Sequence, residues 1–253
     1  MKLKGKVALV TGGGTGMGRA MCLKFASEGA GVAVNYSKSH KQAEEVAEAA
    51  RQLGAAAIAI QADVSQDREA RRLIEQTVAK LGRLDILVNS AGWTRRVNHR
   101  DPEGLTEEIL ERTWAVNVKG PLYCIRAAIP HMLKAGGGAI VNITSIAAFQ
   151  GAGSSIIYCA SKAALGAITK SVARAYAKDN IRVNSIAPGF VDTGFVDWPP
   201  EVLEENVKGS PMGRIPTVDD IANAALFLAC DATGITAQTI LVDCGVTVLQ
   251  PVV

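Results

Sequence analysis

Tyr158 and Lys162, in the run YCASK, pair a phenol with an ammonium at a spacing of four residues. Four residues make about one turn of an α-helix, so the two groups share a face. A phenol with a pKa of ~10 is neutral at pH 7 and forms no ion pair with the lysine. Its chemistry is proton donation, and a nearby ammonium favours the tyrosinate and loosens that proton. Lowering the phenol pKa from ~10 to ~7 corresponds to about 4 kcal/mol of differential interaction. The phenol then falls in the range of general acid–base catalysis. The same spacing also occurs on ordinary surface helices, so the surroundings decide between the two readings.

A glycine cluster, TGGGTGMG from Thr11 to Gly18, follows the apolar run KVALVT and leads into RAMCLKFASEG. Its spacing, Gly12, Gly16, Gly18, is GxxxGxG rather than GxGxxG. Glycines permit a tight turn and let the backbone approach a pyrophosphate, whose charge sits at the helix N-terminus. Turns of this kind are also glycine-rich for packing alone. Further on, where an NAD-binding domain usually has an acid for the ribose 2′-hydroxyl, no acid stands between Gly29 and Glu44. The segment GVAVNYSKSHK presents Asn35, Tyr36, Ser37, Ser39 and the cations Lys38, His40 and Lys41. Hydroxyls and positive charge suit a 2′-phosphate, so NADP is expected over NAD, with NAD possible. On that reading Asn35→Asp turns the preference towards NADH.

The elements that must position these groups are legible as alternating runs. KVALVT, GVAVNY, AAIAIQAD, LDILVN, GAIVNIT, IRVNSIAP and QTILVD are seven short apolar runs. Strands buried on both faces read this way in a parallel sheet. Helical segments lie between them. In SHKQAEEVAEAARQLG, Ala43, Val46, Ala47, Ala50 and Leu53 form an apolar stripe, with Ser39 as a candidate cap and Gly54 as the end. No Pro- or Ser-rich linker or internal repeat divides the 253 residues. The expectation is one domain, residues 1–253: a Rossmann-like, doubly wound, seven-stranded parallel sheet with helices on both faces. Ligands in such sheets bind at the carboxyl ends of the strands.

Composition narrows the function classes. The net charge is +3 from 27 basic and 24 acidic residues spread along the chain, which is no footprint of a nucleic-acid binder. No apolar run approaches the ~20 residues of a membrane span. The run after MKLKGK ends in glycines rather than a cleavage site. Five dispersed cysteines without a CxxC or Cys/His grouping suit reduced thiols in a cytoplasmic protein. No metal site is expected.

Six motifs in order along the chain resemble the short-chain dehydrogenase/reductase family: TGGGTGMG, Asp63-Val64, NSAG from Asn89 to Gly92, Asn117 with Ser145, YCASK, and PGFVDT from Pro188 to Thr193. Ser90, where the family has Asn, and the Cys of VDCG, where many relatives read VDGG, are departures. The resemblance implies Asn117, Ser145, Tyr158 and Lys162 as catalytic residues. It implies cofactor contacts from Gly12, Thr15, Gly16, Met17, Gly18, Asn35, Tyr36, Ser37, Lys38, Asp63, Val64, Asn89, Ala91, Gly92, Tyr158, Lys162, Pro188, Gly189, Val191 and Thr193. In that family the lysine also reaches the ribose, the serine hydrogen-bonds the substrate oxygen, and the asparagine opens a helix for a proton-relaying water.

The expected activity is hydride transfer between NADP(H) and a ketone or secondary alcohol. Rival readings are a regulatory nucleotide-binding protein, which would usually have lost Tyr158 or Lys162, and another enzyme on a similar sheet, such as a methyltransferase. The likeness is strongest to 3-oxoacyl-carrier-protein reductases, whose acidic partner favours a basic patch; here Lys134 stands alone before the fifth run, with Arg95, Arg96, Arg100 and Arg174 elsewhere. A lid over about residues 190–213, with Phe195, Trp198 and Met212 beside Trp93 and Phe149, is expected to line an apolar pocket. A free, mainly apolar or aromatic small ketone is therefore expected, with the carrier-bound acyl chain as the alternative. Helical stretches with apolar side chains on more than one face suggest a homotetramer.

Overall fold

The computed structural model describes residues 1–196 and 198–247. The seven expected runs are seven strands: β1 (Val7–Thr11), β2 (Gly31–Tyr36), β3 (Ala57–Gln61), β4 (Ile86–Asn89), β5 (Gly138–Ile143), β6 (Ile181–Pro188) and β7 (Thr239–Val242). All neighbouring pairs are parallel, in the order β3-β2-β1-β4-β5-β6-β7. Successive residues of β1 face opposite layers: Ala8 and Val10 pack into one core, Leu9 into the other. This two-sided burial is why the strand reads as an unbroken apolar run.

Helices α1 (Gly16–Ser27), α2 (His40–Gln52) and α9 (Val218–Leu226) cover the first face. Helices α3 (Asp67–Leu81), α5 (Gly120–Lys134) and α7 (Ile156–Tyr176) cover the second. Along α2 the stripe Ala43, Val46, Ala47 and Ala50 is buried. Leu53 lies past the helix end and is exposed, and the Ser39 hydroxyl makes no cap, so those two details of the sequence reading are corrected. Gly54 follows in the left-handed region at φ +85°.

Short helices α4 (Glu107–Trp114), α6 (Ala147–Gln150) and α8 (Pro200–Lys208) supply residues to the cavities over the carboxyl ends of the strands. A π-turn, Ala115–Lys119, joins α4 to α5 and contains Asn117. The Ser155 hydroxyl accepts a hydrogen bond from Tyr158 N at 3.3 Å, capping α7 where it delivers its tyrosine. The sheet reverses its winding between β1 and β4, which opens a crevice at their carboxyl ends. Among the described residues, no helix is long and apolar enough to cross a membrane.

Candidate active site

Two adjoining cavities open over the carboxyl ends of the strands, of about 740 Å³ and about 770 Å³. The first lies over the β1–β4 crevice. It is lined by Gly12, Thr15, Gly16, Met17, Gly18, Asn35, Ser37, Lys38, Asp63, Val64, Ala91 and Gly92, and further along by Tyr158, Lys162 and Thr193. The second is lined by Ser145, Pro188, Gly189, Val191 and Thr193 with residues of the 190–206 segment, and again by Tyr158. Tyr158 thus stands at their junction.

The glycine turn is dictated by space. A Cβ on Gly18 would lie 2.2 Å from Gly12 O, and one on Gly12 would lie 3.0 Å from Ala91 Cα. Any side chain at either position would push α1 off the turn, or the turn off the loop after β4. Gly12 and Gly16 also have positive φ, +64° and +49°. The first turn of α1 has no acidic residue, and Thr15 gives it no side-chain cap. Its N–H groups face the crevice without a side-chain partner, a donor set that fits a pyrophosphate.

Two residues expected to touch the ligand stand behind the wall instead. Tyr36 is buried with its hydroxyl 2.7 Å from His40 Nδ1, and Asn89 is buried with Nδ2 donating to Asn142 Oδ1 at 2.8 Å. Asn35 borders the crevice but is 2% exposed. Its Oδ1 accepts from Gly12 N at 3.2 Å, and its Nδ2 faces the carbonyls of Tyr36, Ile60 and Ala62 at 3.1–3.3 Å. An aspartate there would aim a carboxylate at three carbonyl oxygens. Asn35 therefore ties the glycine turn to β2 and β3, and Asn35→Asp is no clean switch of cofactor. Ser37 and Lys38 are exposed at the crevice wall, where a 2′-phosphate would be read.

Sequence reasoning missed Thr11. Its buried hydroxyl accepts from Ser90 N and Ala91 N, both at 3.0 Å, and holds the loop after β4 against the glycine turn. The signal was a threonine ending a strand, which propensity alone also explains.

The catalytic candidates converge. Lys162 is 5% exposed, and its Nζ donates to Ile143 O at 2.8 Å and lies 5.6 Å from the centroid of the Tyr158 ring. Burial pushes the lysine down to about 8. Tyr158 goes the other way: burial pushes its phenol up to about 12, and a hydrogen bond with Ser145 acts against that rise. In the protein alone desolvation outweighs that hydrogen bond, so the phenol is not lowered without the positive charge that an oxidised cofactor would add. Ser145 Oγ accepts from Ala147 N at 3.1 Å.

Asn117 is fully buried. Its Oδ1 accepts from Trp93 N at 2.8 Å, and its Nδ2 donates to Trp93 O at 2.9 Å and Ser161 Oγ at 3.0 Å. It lines neither cavity. The π-turn widens the helix at this residue, and its amide ties the NSAG loop to α7. Asp63 stays below the usual carboxylate range: burial acts to raise it, but Ser65 and Arg112 donate hydrogen bonds that hold it down.

The lid reading is corrected in part. Phe195 and Trp198 line the second cavity together with Ile146, Phe190, Val196, Val202 and Leu203. Trp93 lines the first cavity, while Phe149 and Met212 are exposed and line neither. Trp198 packs 5.9 Å from the Phe190 ring, with the Arg96 guanidinium 5.0 Å over its own. No cluster of three or more His, Cys, Asp or Glu among the described residues could hold a metal ion.

A parallel sheet with this turn at its switch point, and a buried lysine beside the tyrosine at the cavity junction, defines a dinucleotide-binding α/β fold. The family model described as enoyl-(acyl carrier protein) reductase matches residues 12–247. The chain is 40% identical over 246 residues to a 3-oxoacyl-[acyl-carrier-protein] reductase of Staphylococcus aureus, covering 95% of this chain and 97% of the relative. It is 38% identical to general stress protein 39 of Bacillus subtilis, covering 96% and 85%. A short-chain dehydrogenase of Burkholderia cenocepacia in complex with NADP superposes with a TM-score of 0.91 at 32% identity, covering 97% and 99%. A 7α-hydroxysteroid dehydrogenase with NADH and 7-oxo glycochenodeoxycholic acid superposes with a TM-score of 0.90 at 33% identity, covering 96% and 95%. The chain belongs to the short-chain dehydrogenase/reductase family.

Proposed function

We propose that this protein reduces a ketone, or oxidises the corresponding secondary alcohol, with NADP(H) as the hydride carrier. The observation that supports this most is the placement of Tyr158, which borders the cavity that fits a dinucleotide and the cavity that fits a substrate. When bound, the cofactor supplies the hydride, or in its oxidised form a positive charge that favours the tyrosinate. The chain supplies the rest. Gly12, Thr15, Gly16, Met17 and Gly18 would cradle the pyrophosphate, and Ser37 and Lys38 the 2′-phosphate. Asp63 and Val64 would contact the adenine, and Ala91, Gly92, Val191 and Thr193 would border the nicotinamide end. Ser145 donates a hydrogen bond to the substrate oxygen as charge develops there. Tyr158 hands that oxygen its proton. Lys162 presents a cation to ribose hydroxyls and phenol, and Asn117 holds the loop and helix that carry them.

Apolar walls from Ile146, Phe190, Trp198, Val202 and Leu203 favour an uncharged, mainly apolar or aromatic ketone. The Staphylococcus relative favours a second reading, a 3-oxoacyl chain delivered by a carrier protein. Following NADPH oxidation across ketones, diketones, keto sugars, an enoyl thioester and an acetoacetyl thioester separates these. Best efficiency with the carrier-linked thioester would overturn the free-ketone reading. For the cofactor, Ser37→Asp is expected to raise KM for NADPH far more than for NADH, and an enzyme already faster with NADH would refute the NADP assignment.

We also propose a homotetramer. Leu110, Trp114 and Leu122 on α4–α5, with Phe149 and Ile156 on α6–α7, are exposed large apolar side chains. Ala160, Ala163 and Ala167 continue the exposed stripe from Ile156 along α7. Such a face suits a second copy of the chain. Light scattering reporting a monomer would refute it.

A further inference from the structure

The far end of the cofactor crevice holds a charge cluster assembled from two distant parts of the chain. Arg112, on α4, reaches across 49 residues of sequence to Asp63, which follows β3. Its Nη1 donates to Asp63 Oδ2 and to Ser65 Oγ, both at 3.1 Å. Ser65 in turn donates to Asp63 Oδ1 twice, from its backbone N at 3.0 Å and from its hydroxyl at 2.7 Å. The backbone N–H of Asp63 is engaged with Glu69 Oε2 at 2.6 Å. Asp63, Val64 and Arg112 all line the crevice.

Counting acceptor directions gives this cluster a meaning. Each carboxylate oxygen accepts about two hydrogen bonds. Oδ1 is filled by Ser65, and Oδ2 has one donor, Arg112, which leaves a single acceptor direction. A ligand group meeting it must bring an N–H or O–H. The torsion that orients a carboxylate is soft; Ser65 holds Oδ1 but not Oδ2, so without the guanidinium the free direction on Oδ2 is less firmly aimed.

We infer that Arg112 is a positioning residue for the cofactor, holding Asp63 so that its one remaining acceptor direction reads the exocyclic amino group of adenine and rejects an oxo-purine at the same place. This rests on the nucleotide-cofactor reading above. An oxygen in place of the amino group would face a fixed carboxylate oxygen, two acceptors without a proton between them.

The test measures binding rather than turnover. NADPH and its hypoxanthine analogue, deamino-NADPH, are titrated by fluorescence into the wild type, Arg112→Ala, Arg112→Lys, Asp63→Ala and the double alanine variant. Wild type is expected to prefer NADPH. Arg112→Ala is expected to weaken NADPH roughly ten-fold, as loss of a hydrogen bond to a charged group does. Deamino-NADPH should weaken less, so the discrimination narrows, and Arg112→Lys should restore part of it. The double variant should bind no worse than Asp63→Ala alone, because Arg112 acts through Asp63. In steady state, Arg112→Ala raises KM for NADPH while kcat stays within about two-fold of wild type. Unchanged discrimination in Arg112→Ala, or additive losses in the double variant, would overturn the inference. A wild type that fails to bind NADPH at all would overturn the cofactor reading itself, and this inference with it.

Discussion

The two ends of the sheet treat a buried charge in opposite ways. At the amino-terminal end Asp85, 4% exposed, accepts from Val7 N, Lys6 Nζ and both Nε and Nη2 of Arg83, at 2.6–3.2 Å. Burial alone would raise this carboxyl, but its donors hold it below the usual range. At the carboxyl-terminal end Lys162 is equally buried, yet its partner is a neutral carbonyl, and no carboxylate among the described residues pairs with it. Burial goes uncompensated and drives its pKa down to about 8. The first arrangement favours the charged form in the fold; the second disfavours it. A group whose charge the fold does not satisfy is one kept for something other than stability.

Removing the unmatched charge should therefore cost activity and not stability. Lys162→Met is expected to lower kcat/KM by about a hundred-fold or more while raising unfolding free energy by about 1 kcal/mol. The sign is checkable: the folded lysine titrates near 8, below its unfolded ~10.4. The penalty is fully present below pH 8 and relieved as pH rises towards ~10.4, so the variant's advantage should shrink over that window. A destabilised Lys162→Met at pH 7 would break the comparison.

Removing the matched charge should do the reverse. Asp85→Ala frees two half-exposed cations to water but leaves Val7 N without its partner. It should cost about 2 kcal/mol in urea unfolding, with kcat per folded molecule unchanged. Because the folded carboxyl lies below its unfolded value, its contribution is present above pH ~4 and lost as pH falls through the folded pKa. Wild type should accordingly show a steeper acid loss of stability than the variant.

A smaller effect is expected on the pH profile of reduction. With the phenol near 12 and the lysine near 8 in the free protein, kcat/KM for NADPH should fall on the alkaline side with a break near pH 8. A flat profile to pH 10 would remove Lys162 from the titrating machinery. The smallest effect lies at Cys244, the departure in VDCG, which adopts φ +55° in the left-handed region. Cys244→Gly should relieve about 1 kcal/mol of backbone strain, seen as a modest rise in Tm with unchanged kcat.

What was legible in the chain was local. Seven apolar runs became seven strands: inner strands such as β1 and β4 are buried on both faces and leave an unbroken apolar signature, the half-buried edge strands β3 and β7 keep the β-branched pattern, and Gly12, Gly16 and Gly18 marked a turn that a side chain would block. Tyr158 and Lys162 were legible because four residues fix them on one face of one helix. The rest depends on contacts between distant segments. Nothing in GVAVNY says that Asn35 points inward at three carbonyls, and nothing near Arg112 says that Asp63 waits across the crevice. The setting of the phenol is another such case: spacing placed the lysine beside the tyrosine, but only the packed structure shows both groups desolvated and the ammonium held 2.8 Å from Ile143 O.

The central claim is that the junction of the two cavities is where a proton meets a carbonyl oxygen, and that Tyr158 supplies it. The direct measurement is single-turnover oxidation of NADPH at saturating ketone by Tyr158→Phe beside wild type, with NADPH affinity measured on the same samples. The phenyl ring keeps the packing of α7, so affinity should stay within about two-fold while the rate falls by about a thousand-fold. A variant that binds NADPH and still oxidises it at a rate near wild type would contradict the assignment of Tyr158 as the acid.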